Sequence, residues 1–161
     1  MAAPSTAVIR YRGRFTFPES PPAVWSALQD VEQFERRFGC LGQFHVEGDG
    51  LQAGSVLVGT VSPPLPYRIR LRMEIERCVP EQLIDTKIRG DLEGDGHLRL
   101  ARWGTGTELN LAWKIEMMQQ AMRAASRVAH PVLRWGHDRV IDITVNELRS
   151  HLQAMSECPE G

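Results

Sequence analysis

The chain has 161 residues, a length that fits one domain able to bury roughly 70% of the surface of its unfolded form. Hydrophobic residues account for 42% and charged residues for 24% of the sequence, as in ordinary globular domains. The formal net charge is −1, so no overall field attracts nucleic acid or an anionic membrane. A nucleic-acid partner is therefore not expected.

The three cysteines are an odd number without CxxC spacing, which excludes the usual zinc and redox motifs and suits a reducing compartment. The N-terminal residues lack an apolar run long enough for a signal peptide. No segment reaches the roughly 20 apolar residues of a membrane span. These features predict a cytoplasmic protein without a membrane span.

Two short helices are predicted after the first strand. That strand, residues 11 to 17, places aromatic residues on one side and arginines on the other, as in a sheet with one solvent-exposed face. Ser20 can cap a helix that opens with proline, where a missing N–H costs nothing. Asp30 and Gln33 have the spacing of a capping box, which predicts a second helix over residues 34 to 38.

The middle of the chain reads as strands and turns. Apolar and charged residues alternate without interruption over residues 67 to 76, and residues 107 to 116 repeat the pattern. The Gly- and Asp-rich segment 90 to 96 is predicted to be an exposed hairpin loop. It resembles the start of a calcium-binding loop, but Arg102 stands where a glutamate is required. The predicted strands cover residues 11–17, 44–47, 55–61, 67–76, 83–89, 97–103 and 107–116.

The C-terminal segment from Pro131 to Met155 has the periodicity of one long amphipathic helix. Apolar residues recur there at steps of three and four, which places them on one face: Ile141, Val145, Leu148, Leu152 and Met155. His137 lies on the same face, four residues before Ile141. Residues from about Met118 are also predicted to be helical, with a break or kink at Pro131.

Strands at roughly ten-residue spacing with helices segregated in sequence indicate an antiparallel α+β domain. One apolar face of the sheet must be covered, and only the last helix is long enough to cover it. We expect a single ligand-binding domain over residues 7–156, with flexible tails at residues 1–6 and 157–161.

The sequence resembles the START-like (SRPBCC) superfamily and, within it, the polyketide cyclase/dehydrase branch. The resemblance is carried by three groups of residues: Phe17-Pro18, Ala23-Val24-Trp25, Leu28 and Asp30; Gly94, Gly96, Leu98, Leu100, Gly106-Thr107 and Leu109; and Pro131, Trp135, His137 and Asp138. It implies the helix-grip fold, a curved seven-stranded antiparallel sheet around a long C-terminal helix. It also implies a cavity for an apolar or amphipathic small molecule, although members include lipid carriers, hormone receptors, chaperone activators and enzymes.

His137 is the candidate for chemistry because it titrates near neutral pH and lies on the cavity-facing stripe. It could hold or protonate a ligand carbonyl. The alternative is a structural histidine that is satisfied by a partner in the core, which is the usual state of a buried polar group. Asp138 suits a pairing with Arg134 four residues earlier better than a catalytic dyad.

A metal site is not expected. His130, His137 and His151 would align on an unbroken helix, but a rise of about 1.5 Å per residue separates neighbours by roughly 10 and 21 Å. Zinc ligands must each lie about 2 Å from one ion. No cofactor motif is present either.

Other candidate ligand-binding residues come from the inward side of the strands and the helix. Tyr67 and Trp113 sit on inward parities of long strands, and aromatic residues commonly line pockets. The alternative for each is ordinary core packing. The predicted ligand-binding set is Tyr67, Thr86, Trp113, Trp135, His137 and Ile141.

Two functions follow as hypotheses. The first is a module that binds a hydrophobic or polycyclic, lipid- or polyketide-like molecule. The second is a polyketide cyclase or dehydratase in which His137 acts as general acid or base, with Tyr67 or Thr86 as hydrogen-bond partner. A protein-interaction role would need a large exposed apolar patch, and the outward strand positions are charged. The oligomeric state is left open.

Overall fold

The computed structural model describes residues 8–30, 44–62 and 68–157. The elements in these ranges are β1 (Val8–Phe17), α1 (Pro21–Gln29), β2 (Phe44–Glu47), β3 (Val56–Val61), β4 (Ile69–Val79), β5 (Leu83–Gly90), β6 (Leu92–Trp103), β7 (Gly106–Met117) and α2 (Gln120–Glu157). The predicted second short helix, residues 34 to 38, lies outside the described residues. None of the described helices combines the length and apolar character needed to cross a membrane.

The seven strands form one curved antiparallel sheet in the order β1-β7-β6-β5-β4-β3-β2. Strands β2 to β7 pair with their neighbours in sequence, and β1 pairs along its whole length with β7. Because side chains alternate between the two faces of a strand, this register puts the apolar residues of every long strand on one face. The predicted α+β class and helix-grip architecture are confirmed.

Helix α1 begins where the sequence predicts. The Ser20 hydroxyl accepts a hydrogen bond from the Ala23 backbone N–H at 3.4 Å, and proline opens the first turn. The helix buries Val24, Trp25 and Ala27. These side chains join Phe17 and the C-terminal half of α2 in the larger of two core clusters.

Helix α2 continues through Pro131, so of the predicted break or kink the break is wrong. A proline inside a helix removes one backbone hydrogen bond and crowds the carbonyl four residues earlier, at a cost of about 3 kcal/mol. The 38-residue helix has many remaining turns on both sides of this site. Packing of its apolar face against the sheet and α1 supplies the stability that local propensity does not.

The predicted exposed loop at residues 90 to 96 is also wrong, because β6 already begins at Leu92. Only Asp91 separates β5 from β6, and its carboxylate accepts a hydrogen bond from the Arg70 backbone N–H at 2.8 Å. A side chain at Gly94 would collide with the backbone carbonyl of Lys114 on β7. The glycine there permits close contact between strands and does not mark a loop.

The two core clusters leave a space between them. The larger cluster joins α1, the sheet and the part of α2 from Ile141 to Leu152. The smaller one lies on the sheet and contains Ile9, Ile88, Leu92, Ile115 and Met117. The gap above this second cluster, under α2, is where the candidate site lies.

Candidate ligand-binding cavity

A cavity of about 300 Å³ lies between the sheet and the middle of α2. Strands β1 and β3 to β7 contribute its floor, and α2 contributes its roof through residues from His137 to Val145. The volume is at the lower end of the range for small-molecule sites, roughly 300–1,000 Å³. The described lining is almost entirely aliphatic, aromatic or methionine.

The floor of the cavity follows from strand alternation. On β4, Ile69, Leu71 and Met73 face the cavity, while Arg70 and Arg72 between them are exposed. A register shift of one residue would reverse these faces, so burial of the apolar set fixes the register. The continuous alternation over this segment therefore predicts the floor correctly.

His137 contacts Trp113 across the cavity wall. The indole Nε1–H of Trp113 donates a hydrogen bond to Nε2 of His137 at 2.9 Å. Because an indole nitrogen can only donate, Nε2 must be the unprotonated acceptor. The proton of the neutral ring is then on Nδ1, which lies 3.1 Å from Oδ1 of Asp138. Both ring nitrogens thus have partners.

Burial keeps His137 neutral. Removal from solvent is the largest influence and lowers the pKa of His137 below its usual 6.5, and Arg134 lowers it further. The hydrogen bond and negative charge of Asp138 oppose this shift without overcoming it. At neutral pH the ring is therefore the uncharged tautomer that Trp113 requires.

Tyr11 completes an aromatic group around this histidine. Its ring stacks on Trp113 with centroids 4.6 Å apart, and it meets His137 edge-on at 5.3 Å. Burial raises the pKa of Tyr11, and the carboxylates of Asp138 and Asp142 raise it further. Tyr11 was not among the predicted site residues. Its inward parity on β1 was visible in the sequence, but its position opposite Trp113 depends on the β1–β7 register.

The remaining polar side chain of the described lining is Thr144. Its hydroxyl donates to the Val140 carbonyl one turn earlier on α2, at 2.7 Å. Among the described residues, no group of three His, Cys, Asp or Glu side chains is placed to hold a metal ion.

Comparison with known proteins identifies the architecture. No family model matches the sequence, and no curated protein matches it significantly. The protein TTHA0849 from Thermus thermophilus superimposes with a TM-score of 0.77 at 15% identity, covering 92% of this chain and 99% of that one. The Zhui aromatase/cyclase from Streptomyces sp. R1128 gives 0.70 at 14% identity, covering 91% of this chain and 94% of Zhui.

The di-domain ARO/CYC StfQ from the steffimycin biosynthetic pathway gives a TM-score of 0.75 at 12% identity. The match covers 95% of this chain and 53% of StfQ, so the chain spans about half of that protein. The chain has the helix-grip fold that these solved structures share. The fold that the sequence resemblance implies is confirmed, and at these identities the likeness concerns the fold.

Within this helix-grip fold, three of the predicted ligand-binding residues line the cavity: Trp113, His137 and Ile141. Trp135 does not, and 55% of its surface is exposed. It precedes His137 by two residues, which is roughly 200° around a helix. Because of this rotation, Trp135 points away from the cavity although it is close to His137 in the sequence.

The other two predicted ligand-binding residues are not part of the described lining. The Thr86 hydroxyl donates to the Gly96 carbonyl on the neighbouring strand at 3.2 Å. Tyr67 lies outside the described residues. Asp138, expected to pair with Arg134, instead contacts His137 among the described side chains.

Proposed function

We propose that this protein binds a hydrophobic small molecule in the cavity between the sheet and α2. The observation that carries the proposal is the lining: six strands and one helix present apolar side chains to a space of about 300 Å³. Burial of apolar ligand surface contributes about 25 cal/mol per Å². The walls most directly concerned are Trp113 and Ile141, with His137 at one side.

Two further features support binding. The fold is shared with proteins described as aromatase/cyclases, whose activity requires that a small molecule be bound. Close packing is the rule in protein interiors, so an apolar space of this size is suited to an apolar occupant. The domain limits of 7 to 156 and the cytoplasmic location stay predictions from the sequence.

A matched pair of substitutions on α2 tests the proposal. Val140 lines the cavity, and its neighbour Arg139 is exposed. Val140→Phe should fill part of the cavity. Because the larger side chain takes up volume that an apolar probe such as 2-isopropylnaphthalene needs, binding of the probe should weaken by about tenfold or more. Arg139→Phe adds a similar bulk outside and should leave binding unchanged.

Binding would be measured by isothermal titration calorimetry, with circular dichroism to show that both variants are folded. Equal affinity of the wild type and Val140→Phe would place the probe elsewhere and refute the assignment. Native mass spectrometry of protein from its own source would look for a co-purified apolar ligand.

The alternative function is a polyketide cyclase or dehydratase that uses the same cavity. The likeness in fold to Zhui and StfQ favours it. In that case His137 is the candidate general acid or base, and Tyr67 or Thr86 its candidate partner. The arrangement around His137 weighs against this role, because Nε2 is engaged by Trp113 and the lowered pKa opposes the protonated form.

The enzymatic alternative has its own test. A catalysed ring closure of a linear poly-β-keto thioester analogue would be followed by the appearance of aromatic absorption. If His137 is the acid or base, His137→Ala should lower the rate by about 10²–10⁴-fold. A rate that is unchanged in His137→Ala rules out this residue, and absence of turnover in the wild type counts against cyclisation of this class of substrate.

A further inference from the structure

The chemistry of the ligand can be narrowed by the hydrogen bonds of the cavity wall. Apart from the weakly accepting methionine sulfurs, three described lining side chains carry polar atoms: Trp113, His137 and Thr144. A ligand carbonyl would need a donor from one of them. A ligand hydroxyl would need an acceptor.

Each of these three groups already has a partner within the protein. The Trp113 indole N–H is donated to His137, and the Nδ1 proton of His137 points to Asp138. The Thr144 hydroxyl is donated to the carbonyl of Val140. Every side-chain donor of the described lining is therefore used, and the accepting nitrogen of His137 is used as well, whereas the Thr144 oxygen keeps its capacity to accept.

The backbone of the floor offers little more. Strands β4 to β7 each lie between two hydrogen-bonded neighbours, so most of their peptide groups are paired in the sheet, and β2 pairs with β3 from Val56 to Gly59. Where α2 borders the cavity, from His137 to Val145, its peptide groups are paired within the helix. A polar ligand atom that enters the described part of the cavity gives up water without gaining a free donor.

Because these donors are all occupied, we infer that the buried part of the ligand is hydrocarbon-like, without a carbonyl group in the described part of the cavity. This deepens the proposed function and rests on it. Any carbonyl group of the ligand then lies outside this part of the cavity. The selectivity is set largely by the Trp113–His137 pair, in which the indole N–H of the wall is used for an internal hydrogen bond.

Two matched probes measure this selectivity. 2-Isopropylnaphthalene and 2-acetylnaphthalene have nearly the same shape, but only the second carries a carbonyl. Octanol can hydrogen-bond to a carbonyl and cyclohexane cannot, so the two solvents represent a wall with and without a free donor. We expect the dissociation constant of 2-acetylnaphthalene, divided by that of 2-isopropylnaphthalene, to exceed the ratio predicted from octanol–water partitioning by about tenfold. The measured ratio would then lie closer to the one predicted from cyclohexane–water partitioning.

The methyl groups of Met73 and Met117 line the cavity and can report binding by NMR after labelling with ¹³C. A ratio equal to the octanol–water prediction would overturn the inference while leaving the proposed binding function intact. Failure of both probes to bind would overturn the inference and the proposed binding function together.

A gain of function provides an independent test. His137→Leu removes the acceptor and leaves the Trp113 N–H free to donate to a ligand carbonyl. Binding of 2-acetylnaphthalene relative to 2-isopropylnaphthalene should then improve by about tenfold. In the double variant His137→Leu/Trp113→Phe the donor is gone and this improvement should disappear.

Arg139→Leu, two residues along α2 and exposed, serves as the control for the added leucine. The ratio of the dissociation constants of the two probes should be the same in this variant as in the wild type. An unchanged ratio in folded His137→Leu contradicts the inference. If that variant does not fold by circular dichroism, the measurement on the wild type with the two probes decides alone.

Discussion

At the scale of single residues, the partner of His137 decides what the cavity wall can do. A histidine on a cavity-facing stripe could act on a ligand or serve the structure. Here Nε2 accepts from the indole of Trp113, and Nδ1 faces Asp138. The imidazole ring thus connects the indole of the cavity wall to an exposed carboxylate through hydrogen bonds on both of its nitrogens. This arrangement favours the structural role that the sequence left as an alternative.

The state of His137 leads to a prediction for the pH dependence of stability. Its pKa in the folded protein is lowered by burial, so below its ordinary value of 6.5 the unfolded chain takes up a proton before the folded one does. The stability from the neutral ring is therefore fully present above about pH 6.5 and is lost as the pH falls through the folded-state value. One proton changes the free energy of unfolding by at most about 1.4 kcal/mol per pH unit.

Urea denaturation between pH 5 and pH 7.5 measures this slope. His137→Gln cannot titrate and should show a shallower loss of stability over the acid part of the range. Arg134 favours the neutral ring and Asp138 the charged one, so both are kept in the comparison. Identical slopes for the two proteins would show that another group is responsible.

At the scale of elements, one helix performs two jobs along its length. The apolar stripe of α2 packs on α1 and the sheet around Leu148 and Leu152, and it stands away from the sheet nearer His137. The sequence predicted the stripe correctly from Ile141 to Leu152, but Met155, predicted as its last member, is exposed. It could not show which part of the stripe is packed and which part borders a space, because both parts have the same periodicity.

The glycines of β6 illustrate how composition can mislead. A run rich in Gly and Asp resembles a loop, yet Gly94 lies in a strand where the neighbouring backbone leaves no room for a Cβ atom. We expect Gly94→Ala to lower the free energy of unfolding by about 1–3 kcal/mol, because the strands must move apart. Chemical denaturation measures the change.

Gly104, in the turn after β6, is the matched control. A Cβ there meets no atom within 4 Å, but the residue has a φ of 60°. Gly104→Ala should therefore cost only the conformational term, about 1–2 kcal/mol. A Gly94→Ala variant as stable as the wild type would mean that the β6–β7 contact is looser than described.

At the scale of the whole molecule, the cavity is a consequence of topology. Pairing of β1 with β7 brings the N-terminal strand beside the last one, and the curved sheet then surrounds a single long helix. Two core clusters fill the ends of this arrangement. The apolar cavity lies under the middle of α2, and it is where we propose that a small molecule binds.

Much of this architecture was accessible from the sequence alone. Alternation along residues 67 to 76 and 107 to 116 predicted which side chains face inward, since a strand exposes every second residue to each side. The cap at Ser20 and the apolar stripe of the last helix were equally local signals, and the structure bears them out. These properties depend on neighbours in the chain, which is why they can be read there.

Only the tertiary structure decided the chemistry of the site. Trp113 and His137 are 24 residues apart, and their hydrogen bond depends on where α2 crosses the sheet. The same placement left Trp135 exposed and brought Tyr11 beside Trp113. Periodicity fixes the face of an element but not its position relative to another element. Every side-chain donor of the described cavity wall has a partner within the protein, and this is therefore a property of the folded chain.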